Sequence, residues 1–487
     1  MLIVPGTEMT PEEFRDFGHA VVDWIADYRA GVEELPVRGP VRPGGLREQL
    51  PPRLPEEGES PESMLADLDR VIVPALTHWQ HPSFFGYFPA NASLASVLGD
   101  LLSSGLGVQG MSWTTSPAAT ELEQYLLDGL ARELGLPAEF TFPGGGGGVI
   151  QDSASSAVLV ALLTALHRGS AGAWRSSGLT GGEVVYGSAE THSSLAKAVR
   201  VAGLGHDGLR SVSVDPDTLA MRPAALAEAV AEDMAAGRRP VLVCATVGTT
   251  GTGAVDPLSE IAAICREHGI WLHVDAAWAG VAALCPELRA PFAGVAEADS
   301  FCTNAHKWLM TAFDCGLYWT RHPDVLVDAL SILPEYLRDP AGVGGAVVDY
   351  RDWQIPLGRR FRALKLWAVL RWFGLRGLRE HLRLHVALAE ELAELVRGDE
   401  RFALVTEPSF ALVCLRARTG AGAAADDRRT ERLLASINES GRAFLSHTAV
   451  AGRPVIRVAI GGVTTERGHV LALWRLLGEA FEAAAAG

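Results

Sequence analysis

The sequence lacks the features that mark several common functional classes. Its six cysteines are scattered through apolar stretches, and no two form the C-x-x-C pair that binds zinc or exchanges thiols. Basic residues are also scarce, because 42 Lys and Arg face 58 Asp and Glu, and the resulting net charge of −16 repels phosphate backbones. We therefore expect reduced, buried thiols and no nucleic-acid partner.

Long apolar runs are absent as well. The stretch from Ala157 to Leu166, which Thr164 interrupts, is far shorter than the roughly 18 residues that a membrane span needs. The first ten residues contain Pro5, Gly6 and Glu8, and they lack the basic region and apolar run of a signal peptide. These absences predict a cytoplasmic protein with no membrane partner.

The residues that are present predict three parts. Residues 1–93 begin with an amphipathic helix, which Thr10 and Glu13 start as a capping box, followed by a segment rich in proline and glycine. The apolar face of this helix needs a surface to pack on, and we expect that surface to belong to a partner subunit. Residues 94–364 are expected to form a large cofactor-binding domain, and residues 365–487 a small C-terminal domain.

Short β-branched runs alternate with helical segments from about residue 140 onward. The runs EVVYGS, PVLVCATVG, IWLHVD and CGLYWT are typical strands, and helical patterns lie between them. This alternation indicates an α/β fold with a mostly parallel sheet. One intervening helix has clear predicted limits, with Asp256 as its cap and Gly269 as its end.

Polar residues stand at four predicted strand ends, where ligands collect in open α/β sheets. Asp275 ends an apolar strand, Lys307 follows the next strand, His192 opens a helix, and a turn from Ser153 to Ser155 opens another. Each has an ordinary structural interpretation when taken alone. His192, for example, could simply cap its helix. A carboxylate at the end of an apolar strand is costly unless a cation meets it.

One cofactor accounts for all four positions. Pyridoxal 5′-phosphate (PLP) needs a lysine for its Schiff base, a carboxylate for its ring nitrogen, a flat group against the ring, and a helix N-terminus for its phosphate. A nicotinamide site is disfavoured because no G-x-G-x-x-G follows a strand, and the run Gly144 to Gly148 lacks the Lys-Ser/Thr of a P-loop. His381 and His385 lack the internal glutamate of H-E-x-x-H, so we expect no metal site and interpret both as surface or interface residues.

Motifs in order along nearly the whole chain resemble the group II PLP-dependent amino acid decarboxylases. Within that group the chain is most similar to the aromatic-L-amino-acid (DOPA, tyrosine and tryptophan) decarboxylases. The motifs are HWQHPSFFGYFPANAS, SWTTSPAATELE, GGVIQDSAS, THSS, ATVGTTGTGAVDPL, WLHVDAAWAG, NAHKWL, FDCGLYW and DWQIPLGRRFRALKLW. The resemblance implies PLP fold type I, which is aspartate-aminotransferase-like, and a homodimer with its active sites at the subunit interface.

The resemblance also implies residue roles, motif by motif. Lys307 would hold PLP, Asp275 would pair with the ring nitrogen, and the ring would lie between His192 and Ala277. The residues implied around the phosphate and ring are Ala154, Ser155, Thr246, Asn304 and His306, with Gly358 and its neighbour Arg359 closing the pocket. Tyr336, in LPEYLRDPAGVGG, matches the tyrosine of the family's catalytic loop and would protonate the substrate's α-carbon after CO₂ leaves.

The predicted substrate side favours an aromatic amino acid without selecting one. Its residues are Trp79, Tyr87, Phe88, Ala90, Gln109 and Met111, and DOPA, tyrosine, tryptophan and phenylalanine all remain open. Three other interpretations are disfavoured. An oxygen-using aldehyde synthase is opposed by Tyr336 and His192, a silent scaffold by the intact Lys307 and Asp275, and an acidic substrate by the absence of an obvious pocket Arg or Lys.

Overall fold

The computed structural model describes residues 8–332 and 347–483. Two β-sheets with helices packed around them organise this part of the chain. The strands are β1 (Phe84–Phe85), β2 (Gly147–Gln151), β3 (Glu183–Ser188), β4 (Leu209–Val212), β5 (Arg239–Thr246), β6 (Trp271–Asp275), β7 (Ser300–Asn304), β8 (Gly316–Thr320), β9 (Phe402–Leu404), β10 (Leu412–Ala417), β11 (Phe444–Val450) and β12 (Arg453–Ala459).

The α-helices precede, connect and follow these strands. They are α1 (Pro11–Gly31), α2 (Pro61–Asp67), α3 (Leu94–Leu106), α4 (Pro117–Leu134), α5 (Ala154–Gly169), α6 (Trp174–Ser177), α7 (Ser193–Val201), α8 (Pro223–Ala235), α9 (Leu258–His268), α10 (Ala305–Trp308), α11 (Pro323–Leu330), α12 (Arg362–Arg397), α13 (Ala423–Ser440) and α14 (Arg467–Ala483). Within the described ranges, no helix combines the length and the apolarity needed to cross a bilayer.

The larger sheet has seven strands in the order β2-β8-β7-β6-β5-β3-β4. The strands from β4 to β7 pair in parallel, whereas β8 pairs antiparallel with both of its neighbours. The expectation of an α/β fold with a mostly parallel sheet is therefore confirmed. Because β3, β5, β6 and β7 run the same way, the residues that follow them meet at one edge of the sheet.

The smaller sheet has five strands in the order β1-β11-β12-β10-β9. Four of them come from the C-terminal part of the chain, and β1 joins them by pairing Phe84 with Phe444 and Phe85 with Leu445. Residues close to the N-terminus thus complete a sheet formed near the C-terminus. The division at residues 93 and 364 stays a prediction.

The amphipathic helix begins as predicted. The Thr10 side chain accepts from the backbone N–H of Glu13, and the Glu13 carboxylate accepts from the backbone N–H of Thr10 at 2.8 Å, which is a complete capping box. No residue of α1 is buried, and Phe14 is 61% exposed. The helix therefore presents an apolar face that the described part of one chain does not cover.

Two predictions about the fold are wrong. Asp256 does not cap α9, because its carboxylate accepts from the backbone N–H groups of Met221 at 2.7 Å and Thr246 at 2.8 Å, and so ties two loops together. His385 is not a surface residue, since its ring is fully buried and accepts a hydrogen bond from Trp308 Nε1 at 2.9 Å. Gly269 does end α9, in the left-handed conformation that glycine adopts without strain.

A buried ion pair joins α4 to the segment before α12. The Arg359 guanidinium donates to both carboxylate oxygens of Glu123, at 3.1 and 2.7 Å, and the two side chains are only 2% and 3% exposed. Arg359 also donates to the Ile150 carbonyl at 2.9 Å and stacks over the Tyr350 ring. The Arg359 guanidinium therefore makes a buried structural contact, and closure of the pocket by the segment that contains Gly358 and Arg359 stays a prediction.

Breaking this pair should destabilise the fold strongly. Glu123→Gln keeps the shape of the side chain but leaves the Arg359 charge buried without a counterion, and we expect a loss of about 3–5 kcal/mol in the free energy of unfolding. Chemical denaturation measures this loss. The matched control is Glu479→Gln, which breaks the exposed Arg442–Glu479 pair and should cost less than about 1 kcal/mol. Equal losses in the two variants would contradict the prediction.

Candidate active site

A cavity of about 180 Å³ lies at the edge of the larger sheet where its parallel strands end. Residues from four of these strand ends and from the start of α5 line it. The lining residues are Ser153, Ala154, Ser155, His192, Thr246, Gly248, Thr250, Asp275, Ala277, Trp278, Asn304, His306 and Lys307. The structure thus brings together all four polar positions singled out at strand ends, although they are separated by up to about 150 residues in the sequence.

Lys307 lies on α10, the single helical turn that follows β7. Desolvation by burial lowers the pKa of its amine, and the nearby Asp275 carboxylate opposes that shift. Two backbone contacts hold this turn, since the Asn91 side chain donates to the Lys307 carbonyl and the Asn91 N–H donates to the His306 carbonyl at 2.9 Å. A partly desolvated amine on a fixed turn is suited to attack a carbonyl group.

Asp275 ends β6 and is 3% exposed. Its carboxylate accepts from the backbone N–H of Ala277 at 3.0 Å and from the Cys302 thiol at 3.8 Å. Both contacts are modest for a buried charge, which normally requires a cation or several strong donors. The remaining capacity of this carboxylate faces the cavity that also contains Lys307.

His192 is both a helix cap and a lining residue. It is the N-cap of α7, and its Nδ1 accepts from the backbone N–H of Ser194 at 3.2 Å and contacts the Ser194 hydroxyl at 2.9 Å. The pKa of His192 is lowered chiefly by burial, with Asp275 opposing and Lys307 reinforcing the shift. These contacts fix the orientation of a neutral, flat ring at the cavity wall.

The start of α5 forms an anion-binding end of the cavity. The Ser153 side chain occupies the N-cap position without capping the helix, so backbone donors of the first turn remain available. The Ala154 N–H donates to Asn304 Oδ1 at 2.9 Å, which fixes α5 against β7. His306 accepts from the Cys315 N–H at 2.9 Å, and burial lowers its pKa to about 3, so its ring is neutral.

An unpaired hydroxyl at the cavity wall supports the fit of a polar ligand such as PLP to the residues present. The Thr246 hydroxyl oxygen is buried and has no hydrogen-bond partner among the described residues, although it lines the cavity. Gly248 has a φ of +84°, and a Cβ at this position would lie 2.7 Å from Ala279 Cβ and 3.0 Å from the Trp278 ring. A buried hydroxyl that lacks a protein partner and lines a cavity is a feature of a site shaped around a ligand, and glycine at 248 lets this part of the wall pack closely on Ala279 and Trp278.

Two of the predicted substrate residues pack against this cavity. The Phe88 ring stacks on the lining residue Trp278 with centroids 4.6 Å apart, and it also contacts Trp308, which follows Lys307. Ala90 immediately precedes Asn91, whose contacts with the Lys307 turn are described above. These contacts place the FGYFPAN segment beside the lysine.

Trp79 and Tyr87 form a second aromatic layer. Their rings stack with centroids 5.5 Å apart, and Tyr87 is 53% exposed. The Tyr87 backbone has a φ of +56° and is held on both sides, because its N–H donates to Ser446 Oγ at 2.9 Å and its carbonyl accepts from Arg457. A strained, clamped backbone is a common feature of functional segments, and the contact with Arg457 links this one to the surroundings of Lys307.

Three predicted residues lie elsewhere in the chain. None of the six predicted substrate residues lines the cavity itself, and neither does Gly358. Gln109, Met111 and Gly358 form a separate cluster in which Gln109 accepts from the Arg359 N–H at 3.0 Å and Met111 accepts from the Arg351 N–H at 2.8 Å. Gly358 is exposed. Tyr336 lies outside the described residues.

Sequence reasoning missed Arg457. This guanidinium is 4% exposed, and its charge contributes to lowering the pKa of the Lys307 amine. It donates to three neutral oxygens, the carbonyls of Gly251 and Tyr87 and the hydroxyl of Ser446, and no described carboxylate lies within ion-pair distance. Arg457 is not among the residues that line the cavity, but its charge is close enough to act on the Lys307 amine. A lone arginine in the apolar strand VIRVAI was the available signal.

Several known proteins have a similar sequence and the same fold. The family model described as "Pyridoxal-dependent decarboxylase conserved domain" matches residues 43–418. Arabidopsis thaliana "Phenylacetaldehyde synthase" is 48% identical, over 97% of this chain and 96% of that protein. Oryza sativa subsp. japonica "Tryptophan decarboxylase 2" is 45% identical, over 96% of this chain and 94% of that protein.

A solved structure of Oryza sativa TDC with PLP and tryptamine superposes with a TM-score of 0.95 at 40% identity, covering 99% of this chain and 100% of that one. The expectations of fold type I, of PLP as the cofactor and of a carboxy-lyase are confirmed. The chain belongs to the pyridoxal-dependent decarboxylase family.

Proposed function

We propose that this protein decarboxylates an aromatic L-amino acid to the corresponding amine and CO₂, with Lys307, Asp275 and His192 as the residues that hold and activate PLP. The observation that carries the proposal is the convergence of these three side chains in one cavity beside a helix N-terminus. Relatives named for tryptophan and tyrosine decarboxylation, 45% and 44% identical, support an aromatic substrate.

Bound PLP supplies an electron sink conjugated to the substrate's α-carbon, so that the carboxylate can leave as CO₂. The chain's own residues prepare this step. Burial lowers the pKa of Lys307 and increases the fraction of its nucleophilic, unprotonated amine at neutral pH. Asp275 is the anion that would keep a proton on the ring nitrogen, and the His192 ring, fixed by Ser194, would cover one face of the cofactor.

The phosphate would bind at the opposite end of the cavity. The first turn of α5 provides backbone N–H donors there, and the Ser155 side chain is exposed beside them. His306 is neutral, so it offers hydrogen-bonding capacity without repelling Lys307. The anion-binding start of α5 and the Asp275 carboxylate lie at different ends of the cavity. PLP has its phosphate and its ring nitrogen on different sides of the ring, so the two ends would together fix its orientation.

Arg457 is the residue that we assign to the substrate's carboxylate. A buried guanidinium with only neutral acceptors retains much of its desolvation cost, and an anionic ligand would relieve it. Its contact with the Tyr87 carbonyl places it beside the stacked rings of Tyr87 and Trp79, where the side chain of an aromatic substrate would find apolar surface. We therefore assign the α-carboxylate, rather than a side-chain carboxylate, as the anion that Arg457 would bind.

A second candidate product is an aldehyde, which the 48% identity to Arabidopsis thaliana "Phenylacetaldehyde synthase" favours. In that reaction, water and O₂ are consumed together with the amino acid, and aldehyde, CO₂, ammonia and hydrogen peroxide are released. Whether the amine or the aldehyde forms depends on whether the substrate's α-carbon reacts first with a proton or with O₂. Tyr336 is present in this sequence and provides a phenolic proton, so we assign the amine as the main product.

We also propose that the active enzyme is a homodimer. The exposed leucines of α3, among them Leu98 at 50% and Leu101 at 51%, form with the uncovered face of α1 an apolar groove of about 870 Å³. Apolar surfaces of this kind seldom stay open to water. A second copy of the chain would cover the groove. It would also bring its own cluster of Gln109, Met111 and Gly358 toward the cavity of the first copy, which would explain why this cluster lies apart from Lys307 within one chain. The cytoplasmic location stays a prediction.

The assignment of Lys307 is tested by borohydride reduction of the PLP-loaded protein. The chain has only three lysines, of which Lys197 is exposed and Lys365 is buried against Asp100 at 3.2 Å. We expect peptide mass spectrometry to find the reduced PLP adduct on Lys307, and Lys307→Ala to carry none. Lys197→Ala, the control, should be labelled like wild type. An adduct on Lys197 or Lys365 in the native protein would refute the assignment.

The product assignment is tested by Tyr336→Phe. This change removes the phenolic proton and keeps the ring, and positioned proton transfer of this kind contributes about 10²- to 10⁴-fold. With tryptophan, tyrosine, DOPA and phenylalanine as substrates, we expect amine formation to fall by about that factor and aldehyde, ammonia and peroxide to appear. Chromatography and an oxygen electrode measure both outputs. Unchanged amine yield without oxygen uptake would remove Tyr336 from the mechanism, and aldehyde from the wild type would favour the second candidate.

The dimer is tested by charging its proposed interface. The double variant Leu98→Asp/Leu101→Asp should be monomeric by sedimentation velocity and should lose activity, because two carboxylates cannot be buried in an apolar contact. Leu54→Asp is the matched control, since Leu54 is 92% exposed and lies outside the groove. An active monomer would exclude the dimer as the functional unit.

A further inference from the structure

Five buried side chains form one hydrogen-bonded chain that ends at the Asp275 carboxylate. Trp271 Nε1 donates to Ser300 Oγ at 2.8 Å, and Ser300 Oγ contacts His273 Nδ1 at 2.8 Å. His273 Nε2 then lies 3.6 Å from Cys302 Sγ, whose thiol donates to Asp275 Oδ1 at 3.8 Å. All five residues are at most 3% exposed. They lie on β6 and β7, behind the cavity that contains Lys307.

The two ends of this chain have fixed directions. The Trp271 indole can only donate, so Ser300 accepts from it, and the Asp275 carboxylate at the other end accepts from the Cys302 thiol. Between these ends, the direction of the contact between Ser300 Oγ and His273 Nδ1 follows the tautomer of His273. Burial lowers the pKa of His273 to about 4, so the ring is neutral and carries a single proton, and the tautomer with that proton on Nε2 directs it toward the Cys302 sulfur. Burial and the charge of Asp275 raise the pKa of Cys302 well above its usual value. The thiol therefore keeps its proton and points it at the carboxylate.

We propose that Cys302 is a positioning residue for Asp275: its thiol and the backbone N–H of Ala277 together hold the carboxylate in the orientation that faces the ring nitrogen of PLP. The inference rests on the proposed pairing of Asp275 with that nitrogen. The N–H of Ala277 alone would leave the carboxylate free to turn about its side-chain bonds. A second donor, on the neighbouring strand, restricts that rotation.

Cys244 provides an internal comparison. It lies on β5 on the other side of β6, is fully buried as Cys302 is, and pairs in register with His273. Its thiol makes no side-chain hydrogen bond within the described part of the chain, so replacing it removes a buried sulfur without removing a donor to Asp275. Any effect that Cys302→Ala has beyond that of Cys244→Ala reports on the hydrogen bond.

The test compares two cofactors on each protein. Apoprotein is titrated with PLP and with the PLP analogue whose ring nitrogen is replaced by C–H, and the ratio of the two dissociation constants measures the contact between Asp275 and the nitrogen. We expect wild type and Cys244→Ala to share one large ratio in favour of PLP. In Cys302→Ala the ratio should fall by about three- to tenfold, the effect of losing one weak donor to a buried charge. Cys302→Ser, which keeps an O–H donor, should recover part of the loss.

The outcomes separate this inference from the proposed function. If the wild type binds the two cofactors equally, Asp275 does not pair with the ring nitrogen, and both proposals fail. If the wild type discriminates and Cys302→Ala discriminates equally well, only the role of Cys302 is overturned. Thermal unfolding should give the same midpoint for Cys302→Ala and Cys244→Ala. Should Cys302→Ala not fold, a ratio that falls less in Cys302→Ser than in Cys302→Val supports the inference, and equal ratios in both variants overturn it.

Discussion

The Asp275 carboxylate is the constraint around which the site is arranged. A buried carboxylate at the end of a strand is costly unless hydrogen-bond donors or a cation compensate its charge. The charge of Asp275 is only partly compensated, because its donors among the described residues are one backbone N–H and one thiol. The protein keeps a buried anion whose full neutralisation depends on what enters the cavity. Lys307 lines the same cavity, and burial lowers the pKa of its amine.

The parallel sheet explains why part of this arrangement could be predicted from the sequence. Residues that follow parallel strands meet at one edge, so the positions of Asp275, His192 and Lys307 at strand ends predict their proximity without any coordinates. His192 also shows that an ordinary interpretation and a functional one can both hold. Its Nδ1 caps α7, and that very contact fixes the ring at the cavity wall.

Predictions failed where a side chain finds a partner far away in the sequence. Asp256 looked like a helix cap, yet its carboxylate binds the backbone of Met221, 35 residues earlier. Arg359 and Glu123 pair across 236 residues, and Arg457 reaches Tyr87 across 370 residues. Local patterns contain no information about such contacts. The cluster of Gln109, Met111 and Gly358 shows a further limit to prediction from sequence. The proposed neighbour of these residues belongs to a second copy of the chain, so no pattern within one chain indicates the contact.

The scarcity of lysine has a consequence for the lifetime of the protein. Aldehydes, including free PLP, condense with exposed primary amines and gradually modify the surface of most proteins. Nearly all of the 42 basic residues here are arginine, and outside the active site one lysine is exposed and the other is buried in an ion pair. Guanidinium groups remain charged and do not form Schiff bases readily. The surface of the protein therefore offers few amines that could react with the aldehyde of PLP, the group that Lys307 is proposed to bind.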